Sequence, residues 1–175
     1  MERDDTFKST ITLADAARIT GPISFNLMIK PCGSLCNLDC RYCYYLDKSR
    51  LYGGHEPVMS EELLERAIRD YLSTCETPEV TFNWHGGEPL MAMDTVKKTV
   101  EYARSIEEEH NKCFRFTITT NGVLLNDENI EYINREMSNA VLSIDGRKEV
   151  NDDLRPTVNG KGSYDVIVPK FQKLI

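Results

Sequence analysis

Cys36, Cys40 and Cys43 fall within the run Cys36-Asn37-Leu38-Asp39-Cys40-Arg41-Tyr42-Cys43, and thiolates at this spacing are ligands for a soft metal centre. Two kinds of centre fit. A closed structural zinc site needs a fourth ligand, which Cys32, four residues ahead of Cys36, or His55 could supply. A four-iron cluster held by three thiolates leaves one iron open, and an open iron is a place for chemistry. Tyr42, Tyr44 and Tyr45 put aromatic rings beside the loop. There they either pack beneath it or shelter a planar or cationic small molecule.

A second constellation is His85-Gly86-Gly87-Glu88-Pro89. Two glycines allow unusual dihedrals and close backbone approach, and the proline stiffens the exit, so this reads as a binding turn with His85 at its entrance. Thr120-Asn121-Gly122 and Ser143-Ile144-Asp145-Gly146 are further turns of the same kind.

The elements that must position these turns alternate. Ile23 to Lys30 alternates apolar and polar residues and stops at Pro31, which predicts a strand delivering the cysteine loop. Ser60 opens a predicted helix over residues 60–74, with Leu63, Leu64, Ala67, Ile68, Tyr71 and Leu72 at helical spacing. Strands are predicted at Glu79–Trp84, Phe114–Thr120 and Ala140–Ile144, and helices at about Asp94–His110 and Asp127–Met137. Lys148 to Lys161 reads as polar and irregular, and Ser163 to Ile175 as a further helix. Strands alternating with helices predict an α/β fold with parallel βαβ units, in which ligands gather at the carboxyl ends of the strands. Each of the turns above falls at that edge.

Bulk composition narrows the function classes. The chain has 175 residues, of which 41% are hydrophobic and 28% charged, enough for a globular domain with a sizeable core. A formal charge of -7 argues against nucleic acid as a partner. No run of about eighteen apolar residues argues against a membrane span, and with no apolar amino-terminal stretch the expected location is cytoplasmic. Disulfides are not expected there. Cys75 and Cys113, at a predicted helix end and strand start, are expected to be small buried or half-buried side chains.

Taken in order, Pro31 to Tyr45 with the three cysteines, Gly86-Gly87-Glu88-Pro89, Thr120-Asn121-Gly122, and Ser143-Ile144-Asp145-Gly146 with Arg155 resemble the radical S-adenosylmethionine (SAM) superfamily. More narrowly, they resemble the SPASM-type anaerobic sulfatase-maturating enzymes and their peptide-modifying relatives, over about residues 23 to 168. The resemblance implies a 4Fe-4S cluster on Cys36, Cys40 and Cys43, with the amino and carboxylate groups of SAM on the fourth iron. It implies an electron from a reduced flavodoxin- or ferredoxin-type donor, cleavage of the sulfonium to a 5'-deoxyadenosyl radical, and hydrogen abstraction from a sulfatase or other peptide substrate. Tyr42 would touch the adenosyl group and Gly87 the methionine amino group. Ser143 and Arg155 would complete the cofactor site, a hydroxyl suiting ribose or carboxylate and a guanidinium a two-pronged carboxylate. Without the resemblance, Arg155 reads as a solvated loop charge. His85 and Tyr45 match substrate-pocket positions, and Cys32 lies outside the three-ligand motif as a loop residue.

The resemblance also implies a partial (β/α)6 barrel, about four βα units of which are expected here, with 1–22 an amino-terminal extension and 23–175 a radical SAM core domain. The relatives continue further, through more barrel strands, a carboxylate base and a cysteine-rich auxiliary-cluster region, so the core is expected to be truncated and to lack that region. No base can be named within this chain. An open edge after the fourth strand is expected to favour self-association or a partner. The expected function is oxidation of a sulfatase cysteine or serine to formylglycine in the full-length protein. The alternatives are maturation of a ribosomally made peptide and an inactive metal-binding scaffold.

Overall fold

The structure, a computed structural model, describes residues 12–16, 18, 24–45 and 58–175. His55 and Ile23 lie outside the described residues. Four strands, β1 (Asn26–Ile29), β2 (Glu79–Trp84), β3 (Cys113–Thr120) and β4 (Met137–Leu142), pair in parallel in the order β1-β2-β3-β4. After a single turn, α1 (Leu13–Ala16), the helices that connect them are α2 (Glu61–Thr74), α3 (Met93–His110) and α4 (Asp127–Glu136). This is the expected α/β alternation, and each strand lies beside its predecessor.

The central strands β2 and β3 are apolar on one face only. Val80, Phe82 and Trp84 of β2 and Phe114, Phe116 and Ile118 of β3 are buried against the helices, with Phe82 and Phe114 rings 5.6 Å apart and Trp84 and Phe116 rings 6.3 Å apart. Leu64, Ile68, Tyr71 and Leu72 of α2 and Val96, Val100 and Ala103 of α3 cover them. The opposite face carries Thr81, Asn83, Thr117 and Thr119, and the Thr117 hydroxyl donates to Asn83 Oδ1 at 2.5 Å. Parallel strands covered on both faces are apolar throughout, so this alternation means that one face is kept polar.

Local signals set most boundaries. Ser60 Oγ accepts the Leu63 N–H at 3.2 Å and starts α2, and Asn126 Oδ1 accepts the Asn129 N–H at 2.8 Å and starts α4. Leu63, expected on the buried stripe of α2, is exposed. Cys113 is likewise exposed rather than buried, since it begins β3 on the outward side.

Three segments differ from the sequence expectation. β1 is shorter than Ile23–Lys30 and covers only Asn26–Ile29. α4 passes into β4 with no loop, so β4 begins at Met137 rather than Ala140. An irregularity at Phe116/Thr117 absorbs the extra residue, and the Ser138 hydroxyl donates to the Phe116 carbonyl there at 2.9 Å. Ser and Asn are weak strand formers, which hides this start. β4 also ends at Leu142, although the Ser143 N–H still donates to Thr120 O at 3.0 Å.

Residues 148–161, expected to be irregular, contain α5 (Lys148–Leu154), and α6 (Tyr164–Leu174) follows. α5 buries one residue, Asn151, so it has no apolar periodicity to read. Asn151 Oδ1 accepts the Asp145 N–H at 3.2 Å, and its Nδ2 donates to Ser163 Oγ at 3.1 Å. Pro156 prevents the helix from continuing.

Candidate functional site

The cysteine loop leaves β1 through two linked turns, Gly33 N to Lys30 O and Leu35 N to Cys32 O, each 3.0 Å. Cys32 is fully buried in this part, and its thiol donates to Glu88 O at 3.1 Å. It does not line the cavity that the other three cysteines line. The distal half of the loop rests on the last residue of α5 and the chain after it. Asp39 N donates to Pro156 O at 2.8 Å, Arg41 N to Leu154 O at 3.0 Å, and Leu38 bridges Thr157.

The Gly-Gly turn docks on the same loop. Gly87 N donates to Gly33 O and Glu88 N to Leu35 O, both at 2.9 Å. The two glycines are needed for different reasons. Gly86 has φ +122°, a region L side chains avoid, whereas a Cβ on Gly87 would lie 2.0 Å from Leu35 O.

Glu88 is completely buried beneath the turn. Its carboxylate accepts from Leu90 N at 3.0 Å, Thr120 Oγ1 at 2.7 Å and Asn121 N at 2.7 Å, locking the Gly-Gly turn to the Thr120-Asn121-Gly122 turn. Burial raises its pKa, against the lowering effect of these donors. A glutamine cannot accept all three, so Glu88→Gln is expected to cost about 1–3 kcal/mol in urea unfolding. The sign of the pH effect follows from the raised pKa. The wild-type contribution from protonated Glu88 is fully present below the unfolded value of about 4.3 and is lost as pH rises through the folded pKa. The gap between wild type and Glu88→Gln should therefore narrow with rising pH, and a gap that widens would contradict this assignment.

One cavity at the carboxyl ends of the strands is lined by Cys36, Cys40, Tyr42, Cys43, Tyr45, His85, Gly87, Ser143 and Arg155. All the site residues expected from sequence thus line one cavity. Thr119, Thr120, Asn121, Tyr44 and Gly86 join them. Arg155 is not a solvated loop charge: its side chain is 15% exposed, and its Nε donates to Asp145 Oδ2 at 2.9 Å. The Tyr42 hydroxyl donates to the same oxygen at 2.7 Å, and the guanidinium carbon lies 5.4 Å from the Tyr42 ring centre. Asp145 was visible in Ser143-Ile144-Asp145-Gly146, but nothing local marks it as the anchor of this clasp.

Tyr42 is exposed overall, but partial desolvation of its phenol, helped by the Asp145 hydrogen bond, pushes it up to about 12. Burial also raises the Cys36 thiol and pushes Cys40 up to about 11, with Arg155 pulling Cys40 the other way. Metal binding at these thiols would release their protons. His85 is shifted down, first by burial and then by the Lys30 charge. Its Nδ1 accepts the Gly86 N–H at 2.8 Å, which places the proton of the neutral ring on Nε2. The Lys30 ammonium sits 5.2 Å from the Tyr45 ring centre.

Among the described residues no three His, Cys, Asp or Glu side chains converge as a single metal ion requires. With Cys32 turned to Glu88 O, a closed zinc site on Cys32 and the other three thiols does not fit. Three thiols lining one cavity do suit a four-iron cluster, which takes one thiolate per iron.

The family described as the Radical SAM superfamily matches residues 31–175. The chain belongs to the radical SAM superfamily. Among curated relatives, it is 41% identical over 140 residues to a serine-type anaerobic sulfatase-maturating enzyme of Bacteroides thetaiotaomicron, covering 79% of this chain and 33% of that one. It is 29% identical over 157 residues to a cysteine-type enzyme of Clostridium novyi, covering 86% of this chain and 40% of that one. The solved structure of native anSMEcpe with bound AdoMet and the Cp18Cys peptide superposes with a TM-score of 0.74 at 26% identity, covering 87% of this chain and 41% of that one. The radical SAM chain described here thus spans about a third to two fifths of the length of these relatives. The superfamily implies SAM and an iron-sulfur cluster as the groups such a site serves. No helix among the described residues is long and apolar enough to cross a membrane.

Proposed function

We propose that residues 23–175 form a radical SAM core domain in which Cys36, Cys40 and Cys43 hold a 4Fe-4S cluster and Tyr42, Gly87, Ser143 and Arg155 contact SAM. The observation that carries this reading is the single cavity lined by the three thiols and those four residues. When bound, the two groups supply radical hydrogen abstraction, driven by an electron from a reduced flavodoxin- or ferredoxin-type donor.

The protein's own residues bind and orient. Arg155 uses Nε on Asp145, which leaves the rest of its donor fork for a carboxylate. Tyr42, its hydroxyl held by Asp145, offers a ring face rather than a proton. Gly87, without a side chain, lets an amino group approach the backbone. Ser143 offers a hydroxyl at the cavity wall. Neutral His85 presents an Nε2 donor toward substrate, with Tyr45 beside it in the lining and Lys30 as the nearby cation.

In the whole protein the substrate is proposed to be a sulfatase cysteine or serine, oxidised to formylglycine. The identity to both serine-type and cysteine-type relatives supports the class without choosing the residue. Anaerobically reconstituted protein given SAM and dithionite is expected to release 5'-deoxyadenosine, and Cys40→Ala to release none. Absence of release from a protein that carries the cluster would overturn the cofactor reading. Sulfatase peptides with Cys or Ser at the modified position test the substrate, with trapping of a new aldehyde as the readout.

A further inference from the structure

Asn121 stands at the carboxyl end of β3, and every polar atom of its side chain and its backbone N–H has a partner that fixes it. The backbone N–H donates to Glu88 Oε2 at 2.7 Å, which ties the residue to a buried carboxylate. The side-chain Oδ1 accepts the Val123 N–H at 3.0 Å, and this settles which end of the amide is oxygen. Nδ2 therefore points at the cysteine loop. It donates to Asn37 Oδ1 at 2.8 Å and to Cys36 Sγ at 3.6 Å, within reach for a sulfur acceptor. The Leu38 backbone N–H approaches the same sulfur at 3.5 Å. Cys36 thus takes two N–H donors, one from its own loop and one from a strand end 85 positions away.

Hydrogen bonds to a ligating sulfur withdraw negative charge from it and favour the more reduced, more negative state of an iron-sulfur centre. Glu88 acts in the opposite sense, since its carboxylate repels charge at Cys36. Asn121 lies between the two. We propose that Asn121 is a positioning residue whose amide N–H on Cys36 Sγ raises the reduction potential of the cluster, making the electron that starts the reaction easier to accept. This rests on the reading that Cys36, Cys40 and Cys43 hold the cluster.

Two substitutions separate the donor from the fold. In Asn121→Ser, the hydroxyl can still accept the Val123 N–H but is too short to reach Cys36. In Asn121→Asp, the acceptor to Val123 is kept and the donor is replaced by a carboxylate oxygen. EPR-monitored potentiometry of the reconstituted chain is expected to show about a tenfold lower reduced-to-oxidised ratio for Asn121→Ser at a fixed ambient potential, equal to about 59 mV for one electron. Asn121→Asp should fall further. A measurement on the unaltered protein needs no variant to fold: with 15N-asparagine, the reduced cluster should show a hyperfine coupling from a side-chain nitrogen, lost in Asn121→Ser. Full iron content with an unchanged potential in Asn121→Ser, or no such coupling in the wild type, overturns the role of Asn121 and leaves the cluster intact. Wild-type protein with no cluster overturns the reading beneath it instead.

Discussion

Replacing Cys36, Cys40 or Cys43 with alanine is expected to abolish the brown iron-sulfur chromophore of the reconstituted protein, while Cys32→Ser and Cys113→Ser keep it. The first three thiols line one cavity. Loss of any one leaves an iron without its protein ligand, and burial, which raises the Cys36 and Cys40 thiols, disfavours their ionisation without a metal. Even the partners that only orient ligands are worth about 10–100-fold in metal affinity, so removal of a ligand itself should cost at least that. Cys32 instead donates to the Glu88 carbonyl from a buried position, a bond that a serine hydroxyl can repeat. Cys113 is exposed at the other end of β3. Iron and sulfide analysis with visible absorbance decides. A full chromophore in any of the three alanine variants, or its loss in Cys32→Ser, would refute the assignment.

Gly87→Ala is expected to be nearly as damaging, although it adds one methyl group. The new carbon would meet Leu35 O at 2.0 Å and Leu35 C at 2.5 Å, and both are backbone atoms that cannot rotate away. Either the Gly-Gly turn or the cysteine loop must move. Both are tied to each other by the Gly87-to-Gly33 and Glu88-to-Leu35 hydrogen bonds, so the displacement reaches the cluster ligands. Overpacking of this kind costs about 1–3 kcal/mol, and here the lost hydrogen bonds add to it. Urea unfolding should show the destabilisation, and iron content should fall with it. A Gly87→Ala protein with wild-type stability and a full cluster would mean that the two loops are not packed as described.

Much of the site was legible because its markers are local. The cysteine spacing, the glycines after β2 and the alternation of β2 and β3 each lie within a few residues, and each names a chemistry or a backbone shape. The strand and helix order then places all the turns on one edge, since parallel strands joined by helices put every following loop on the same side. What escaped local reading was held by distant partners. Asp145 gathers Tyr42 and Arg155 although 103 positions separate it from Tyr42. α5 has one buried residue and no apolar stripe, yet its last residue and the chain just after it support the cysteine loop. β4 begins in Met-Ser-Asn because Ser138 can bond at a register shift with β3.

By itself the sequence determined the α/β class, the three candidate ligands and the two glycines, because residue type and short spacing carry that information. Only the tertiary structure decided that Cys32 is structural, that Glu88 is a buried brace between two turns, that Arg155 is held by Asp145, and that Asn121 faces Cys36. The physical reason is the same in each case. A buried polar group must find its partner wherever the folded chain brings one: 56 positions away for Cys32, 32 for Glu88 and 85 for Asn121, and for Arg155 only 10 positions away but across α5.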